Sequence, residues 1–151
     1  MTTHAEKRNL PYTPQQLFDL VADVGSYPDF LPWCISCGIK NKQDNIIYAD
    51  LVIGYKMIRE EFGSKVTLNS PSHIHVEYLS GPMKYLSNHW KFIEEDDGSC
   101  TIDFFVDFEF KNRILQNLMG VFFGDVVRRM VGAFEGRAKD LYGVNGLNQK
   151  S

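Results

Sequence analysis

TIDFFVDFEF (101–110) runs, after a single lysine, into NRILQNLMGVFFGDVVRRMVGAFEGRAKDLY (112–142), and these two neighbours set the architecture. In the first, Ile102, Phe104, Val106, Phe108 and Phe110 alternate with Thr101, Asp103, Asp107 and Glu109, so one face is dry and the other wet. Phe105 alone breaks the alternation. A strand of this kind belongs in an antiparallel sheet covered on one side. In the second, the period changes, with Leu115, Leu118, Met119, Phe122, Val126, Met130, Ala133 and Phe134 recurring at helical spacing. One long helix is predicted, and it is the cover available to the dry face.

Upstream, strand periodicity repeats. Trp33, Ile35, Cys37 and Ile39 share one parity; after the Gln43-Asp44-Asn45 turn, Ile47, Ala49, Leu51 and Ile53 share another. Gly54 leads into a strand from Met57 to about Leu68, and Asn69-Ser70-Pro71-Ser72 is a turn. Ile74, Val76 and Tyr78 then alternate with His73, His75 and Glu77; Ser80-Gly81-Pro82 breaks the run before Leu86, Trp90 and Phe92. Near the start, residues 3–10 alternate weakly as a first strand. Thr13-Pro14 before Leu17, Phe18, Leu20 and Val21 reads as an N-cap, a proline in the first turn and an amphipathic helix that Gly25 ends. One strand, a helical insertion, a meander and a long final helix make an α+β order in which the sheet buries one face. The predicted fold is a curved antiparallel sheet wrapped around the C-terminal helix, a helix-grip shape with an internal apolar cavity. At 151 residues it is one domain, 1–151, with 144–151 a frayed tail.

Composition narrows the function. A net charge of −3 and a pI near 5.8 argue against DNA or a broad nucleic-acid surface. No apolar run reaches the roughly 18 residues of a membrane span, and the polar start has neither a signal core nor an Arg- and Ser-rich leader. A cytoplasmic bacterial protein is expected. Three cysteines argue for reduced thiols over a disulfide framework. Cys34 and Cys37 form a C-x-x-C, but a metal site needs a second pair and the redox motif needs a helix N-terminus, where this stretch alternates like a strand.

The segment YPDFLPWC (27–34) sets three aromatic rings, a leucine and a thiol among two prolines. Each proline fixes φ and biases its predecessor, Tyr27 or Leu31, toward extended backbone, so Phe30, Leu31 and Trp33 are expected at the mouth or wall of an apolar space. The cavity lining is predicted from Trp33, from Leu86 and Trp90, from Phe104, Val106 and Phe108, and from Met119, Phe122, Val126 and Met130 on the helix. On the same inward parity stand three polar groups, Glu60, Asn88 and the Tyr78 hydroxyl, available to a carbonyl-bearing head group or to each other. Gly120, Gly124, Gly132 and Gly136 sit inside the helix at a cost of up to about 1 kcal/mol each, which implies either close helix–sheet packing or room for a ligand or a bend that opens the pocket. Phe122 and Phe123 are adjacent, so one is expected to be exposed for membrane docking, beside a helix with a modest excess of Arg and Lys suited to anionic headgroups. His73, His75 and His89 project outward, His89 alone, so no general base is evidently placed in the pocket; Glu60 is the one candidate buried acid or base, and no enzyme is indicated.

VADVGSYPDFLPWC (21–34), GYKMIREEFGSKVTL (54–68) and GPMKYLSNHWKF (81–92) together resemble the coenzyme Q-binding and RatA branch of the START-like (SRPBCC, polyketide cyclase-like) superfamily, over about residues 10–142. The resemblance implies a helix-grip fold whose deep apolar pocket takes a polyprenylated quinone without catalysis. The protein would then be a lipid chaperone of respiration with ubiquinone as its bound ligand and no other cofactor, meeting the inner membrane peripherally. The RatA relatives imply an alternative, association with the large ribosomal subunit that affects subunit joining, and the wider superfamily implies a cyclase-like enzyme. The SGPMKYL loop (80–86) is the expected gate.

Overall fold

The computed structural model describes residues 2–55 and 58–143; Met57 and the predicted tail at 144–151 lie outside them. The chain forms β1 (Thr2–Leu10), α1 (Pro14–Ala22), a 3-10 turn (Val24–Asp29), then β2 (Cys34–Gln43), β3 (Ile46–Tyr55), β4 (Ile58–Asn69), β5 (His73–Ser80), β6 (Met83–Glu94), β7 (Cys100–Phe110) and α2 (Arg113–Tyr142). The strands make one antiparallel sheet in the order β1-β7-β6-β5-β4-β3-β2. Consecutive hairpins generate β2 to β7, and β1 closes against β7, pairing Thr2 with Phe108 and Leu10 with Cys100. This is the helix-grip arrangement that the alternation of β7 and the period of α2 require.

Local chemistry sets the element ends. Thr13 caps α1: its hydroxyl accepts from the Gln16 amide at 3.1 Å while the Gln16 side chain accepts from the Thr13 amide at 2.9 Å, a reciprocal box that satisfies two orphan donors. The helix ends at Ala22, earlier than the glycine-based expectation, and Gly25 falls inside the 3-10 turn. Tyr27 also departs from expectation. It lies within that turn, because its carbonyl accepts from the amides of Phe30 at 3.2 Å and Leu31 at 2.9 Å. Asn112 caps α2 by accepting from Ile114 and Leu115 at 2.8 and 3.1 Å.

The edge strand β2 corrects the predicted parity. Ile35 and Ile39 are 45% and 49% exposed, whereas Cys34 is buried. Register shifts between Cys34 and Ser36 and between Ile39 and Asn41 break the alternation along β2.

The core has two lobes. The larger gathers Leu17, Leu20 and Val21 of α1, Ile74, Trp90, Ile102 and Phe104 of the sheet, and Phe134 and Ala138 of α2. The smaller gathers Met83, Phe108 and Phe110 with Met119, packed by Leu115, Phe123 and Val126. Val106 touches both. Among the described residues no helix is long and apolar enough to cross a membrane.

Candidate functional site

Between the sheet and α2 lies a cavity of about 240 Å³. Its floor is the inward face of β7 and β6: Phe104, Val106, Phe108 and Phe110, with Leu86, Asn88 and Trp90. Its roof is Met119, Phe123, Val126, Val127, Met130 and Phe134 of α2, and its remaining wall includes Tyr27, Leu31, Trp33, Cys34, Leu51, Ile53, Phe62, Ser64 and Val66. A second, small cavity of about 30 Å³ lies against Trp90, Phe104 and Phe134 on the α1 side. Trp90 packs edge-on against Phe104 at 4.8 Å and against Phe134 at 5.1 Å, so these rings form a partition between the two spaces.

Trp33, Leu86, Asn88, Trp90, Phe104, Val106, Phe108, Met119, Val126 and Met130 all line this cavity, and three further predicted residues do not. Glu60 shares the parity of Phe62, Ser64 and Val66, but on β4 the lining extends only to Phe62. The Tyr78 hydroxyl is occupied by the backbone, accepting from the Met83 amide at 3.0 Å. Phe122 is displaced by its neighbour. Successive helical residues turn by about 100°, and Phe123 takes the sheet-facing position, 5.2 Å from the ring of Phe108. Both phenylalanines are partly buried, so neither is the exposed residue that the pair suggested.

Asn88 reaches the wall already engaged. Its amide donates to the Phe105 carbonyl at 2.8 Å and its oxygen accepts from the Trp90 indole at 2.8 Å. The buried Ser64 hydroxyl donates to the Ala49 carbonyl at 3.0 Å, and the Tyr27 hydroxyl donates to the Val21 carbonyl. Tyr78 and Asn88 do not pair with each other, because each meets a nearer partner. The effect is a cavity whose polar groups are turned to the protein and whose surface is nearly all hydrocarbon and aromatic.

The titratable side chains that line the cavity, Tyr27 and Cys34, are held protonated by burial. Burial, then the neighbouring Cys37, pushes the Cys34 thiol up to about 11, and burial followed by Asp50 raises Cys37; such thiols stay protonated and are poor nucleophiles. His73, His75 and His89 lie on the outer face of the sheet, as parity predicts, but His89 is not alone. Its ring stacks 4.0 Å from His75 and 5.2 Å from His73, and His73 Nε2 is 3.0 Å from His89 Nδ1. Burial first and His75 second lower the pKa of His73 and of His89. The four glycines of α2 are all exposed. A Cβ at Gly120, Gly132 or Gly136 would meet nothing within 4 Å, and one at Gly124 would meet only the Arg128 side chain at 3.6 Å. Close packing on the sheet is therefore not their cause, and they leave the cavity no wider.

The turn expected to gate the cavity is tied down. Gly81 adopts φ +137°, and an added Cβ would sit 2.8 Å from that of Phe62; Met83 is buried, and Pro82 accepts from the Lys111 amide at 2.9 Å.

An apolar chamber gripped between a curved sheet and a long helix defines a class of hydrophobic-ligand proteins, and comparisons agree. Residues 10–135 match the family described as polyketide cyclase / dehydrase and lipid transport, and the chain belongs to it. Within it, the chain sits in the branch of the RatA and coenzyme Q-binding proteins. It is 37% identical over 145 residues to the ribosome association toxin RatA of Rickettsia prowazekii, covering 93% of this chain and 99% of that one. It is 32% identical to the mitochondrial coenzyme Q-binding protein COQ10 homolog B of Xenopus laevis, over 93% of this chain and 59% of the other. Among solved structures, an 18 kDa protein from Caulobacter crescentus shares 33% identity at a TM-score of 0.77, covering 95% of this chain and 99% of that one. The Zhui aromatase/cyclase of a Streptomyces species shares the fold at a TM-score of 0.81 with 14% identity, covering 91% and 93%.

Proposed function

We propose that the protein binds a polyprenylated quinone, ubiquinone, without transforming it, and serves as a lipid chaperone for respiration. The observation that carries this reading is the cavity of about 240 Å³ whose polar wall groups, Ser64, Asn88 and Trp90, are already bonded within the protein. Such a wall gains from hydrocarbon, at roughly 25 cal/mol per Å² of apolar surface removed from water. An engineered cavity of about 150 Å³ in another protein accepts benzene, so by the same measure this one has room for about ten carbons, or two isoprene units. The cavity thus suits a segment of prenyl chain. The coenzyme Q-binding name of the Xenopus relative supports the same ligand class. No general base touches the cavity among the described residues, and the buried thiols are held protonated, which favours binding over cyclase-like chemistry.

The test is native mass spectrometry with organic extraction of protein from its own type of cell. One ubiquinone per chain is expected, with the lipid lost in Val106→Arg while circular dichroism stays native. Unchanged lipid in that folded variant would overturn the assigned chamber. A second reading, association with the large ribosomal subunit, is favoured by the 37% identity to RatA; lipid-free protein that cosediments with that subunit would replace the first reading. The net charge of −3 weighs against an rRNA surface.

A further inference from the structure

The outward face of the N-terminal half of α2 is apolar and has no partner among the described residues. Ile114, Leu118 and Val121 follow one another at intervals of four and three residues, on one helix face, and are 71%, 40% and 77% exposed. The opposite face of the same turns supplies Leu115, Met119 and Phe123 to the smaller core lobe, and Met119 and Phe123 roof the cavity. This stretch is apolar on both sides, whereas a helix that only covered a sheet would turn a polar face outward.

Charge identifies what the face meets. Although the chain as a whole carries −3, residues 111–129 hold four cations, Lys111, Arg113, Arg128 and Arg129, against the single carboxylate Asp125. Asp125 is itself paired with Arg129 at 3.1 Å and approached by Arg128 at 3.7 Å. Arg113 is the first residue of α2, where the helix dipole disfavours a cation. An external anion there would offset that cost. Exposed apolar side chains on one helix face, with cations before and beyond them along the chain, match the interface of an anionic bilayer, where the apolar groups enter the acyl boundary and the cations meet phosphate. A cavity with room for about ten carbons also leaves most of a long prenyl chain outside it, and a bilayer accommodates the remainder.

We propose that the N-terminal half of α2, from Arg113 to Val121, docks on the surface of an anionic phospholipid bilayer and apposes the cavity roof to it. Only the chain-length argument rests on the quinone reading; the exposed face and its charge do not. The test is cosedimentation with quinone-free vesicles of phosphatidylcholine, alone or mixed with phosphatidylglycerol. Wild type is expected to sediment with the mixed vesicles and to be released by high salt. Val121→Asp and Ile114→Asp, exposed substitutions, should each weaken partitioning by about tenfold or more, while Ile39→Asp, on the edge strand β2, leaves it unchanged. Wild type that stays in the supernatant, or Val121→Asp that partitions like wild type, would overturn the proposal. So would a self-associated wild type that Val121→Asp converts to monomer, or a large ribosomal subunit captured through the same face in place of vesicles. Docking without quinone uptake from such vesicles would refute the quinone reading and leave the docking face standing.

Discussion

The C-terminal half of α2 sinks Phe134 and Ala138 into the main core, while the N-terminal half leaves Ile114 and Val121 71% and 77% exposed. Phe134 meets Tyr27, Phe30 and Trp90 at 5.5, 5.2 and 5.1 Å. Around it, Glu135 pairs with Arg8, the Arg137 guanidinium lies 5.2 Å over the Phe30 ring, and the Tyr142 hydroxyl donates to the Gln16 carbonyl at 2.9 Å. The N-terminal half rests on the smaller lobe, where Met119 and Phe123 face a space rather than a filled core. One helix thus combines an anchor and a roof. On the proposed function this division suits entry and exit of a hydrophobic guest, because strength concentrated at one end lets the other end shift without unfolding the whole.

The largest effect should come from the anchor. Phe134→Ala removes a ring held by three aromatic partners and should cost about 3–5 kcal/mol, whereas Met119→Ala, in the smaller lobe, should cost about 2 kcal/mol. Urea unfolding measures both, and equal losses would erase the distinction between the halves. Native-state hydrogen exchange sharpens the same contrast: amides at 117–124 should exchange well before those at 132–139, and uniform protection would mean that the helix opens as a unit. Third in size, Gly132→Ala should stabilise the protein by about 1 kcal/mol, since its Cβ meets nothing. Gly81→Ala should do the reverse, because φ +137° and the nearby Phe62 both oppose a side chain.

The smallest effect lies on the far face of the sheet. His73 and His89 have lowered pKa values in the fold, from burial and then from His75, with Lys91 acting in the same direction on both and Glu77 opposing it at His89. The unfolded chain therefore binds protons first, near pH 6.5. Stability present above that pH should decline as pH falls through the folded values. Thermal melts of wild type against His89→Gln would show it, with a flatter profile below pH 6.5 in the variant; parallel profiles would remove the stacked histidines from the account.

Much of this was legible in order along the chain. The alternation from Ile102 to Phe110, the helical period of α2 and the Thr13-Pro14 cap are local patterns, and each appears where the sequence predicts it. The inward residues of β6 and β7 followed because parity on a regular strand propagates without outside help. Where regularity failed, so did legibility: two register shifts in β2 turned Ile35 and Ile39 to solvent, and no residue type announces them.

What the amino-acid order determined by itself, then, was the succession of elements, the dry face of the sheet and the presence of one long cover. Only the tertiary structure decided that Phe123 and not Phe122 faces the cavity, since a helix with adjacent aromatic residues can be rotated to present either. It alone decided that Tyr78 and Asn88 spend their polar atoms on Met83, Phe105 and Trp90. Hydrogen-bond partners and helix rotation are set by segments distant in the chain, and a local pattern carries no record of them.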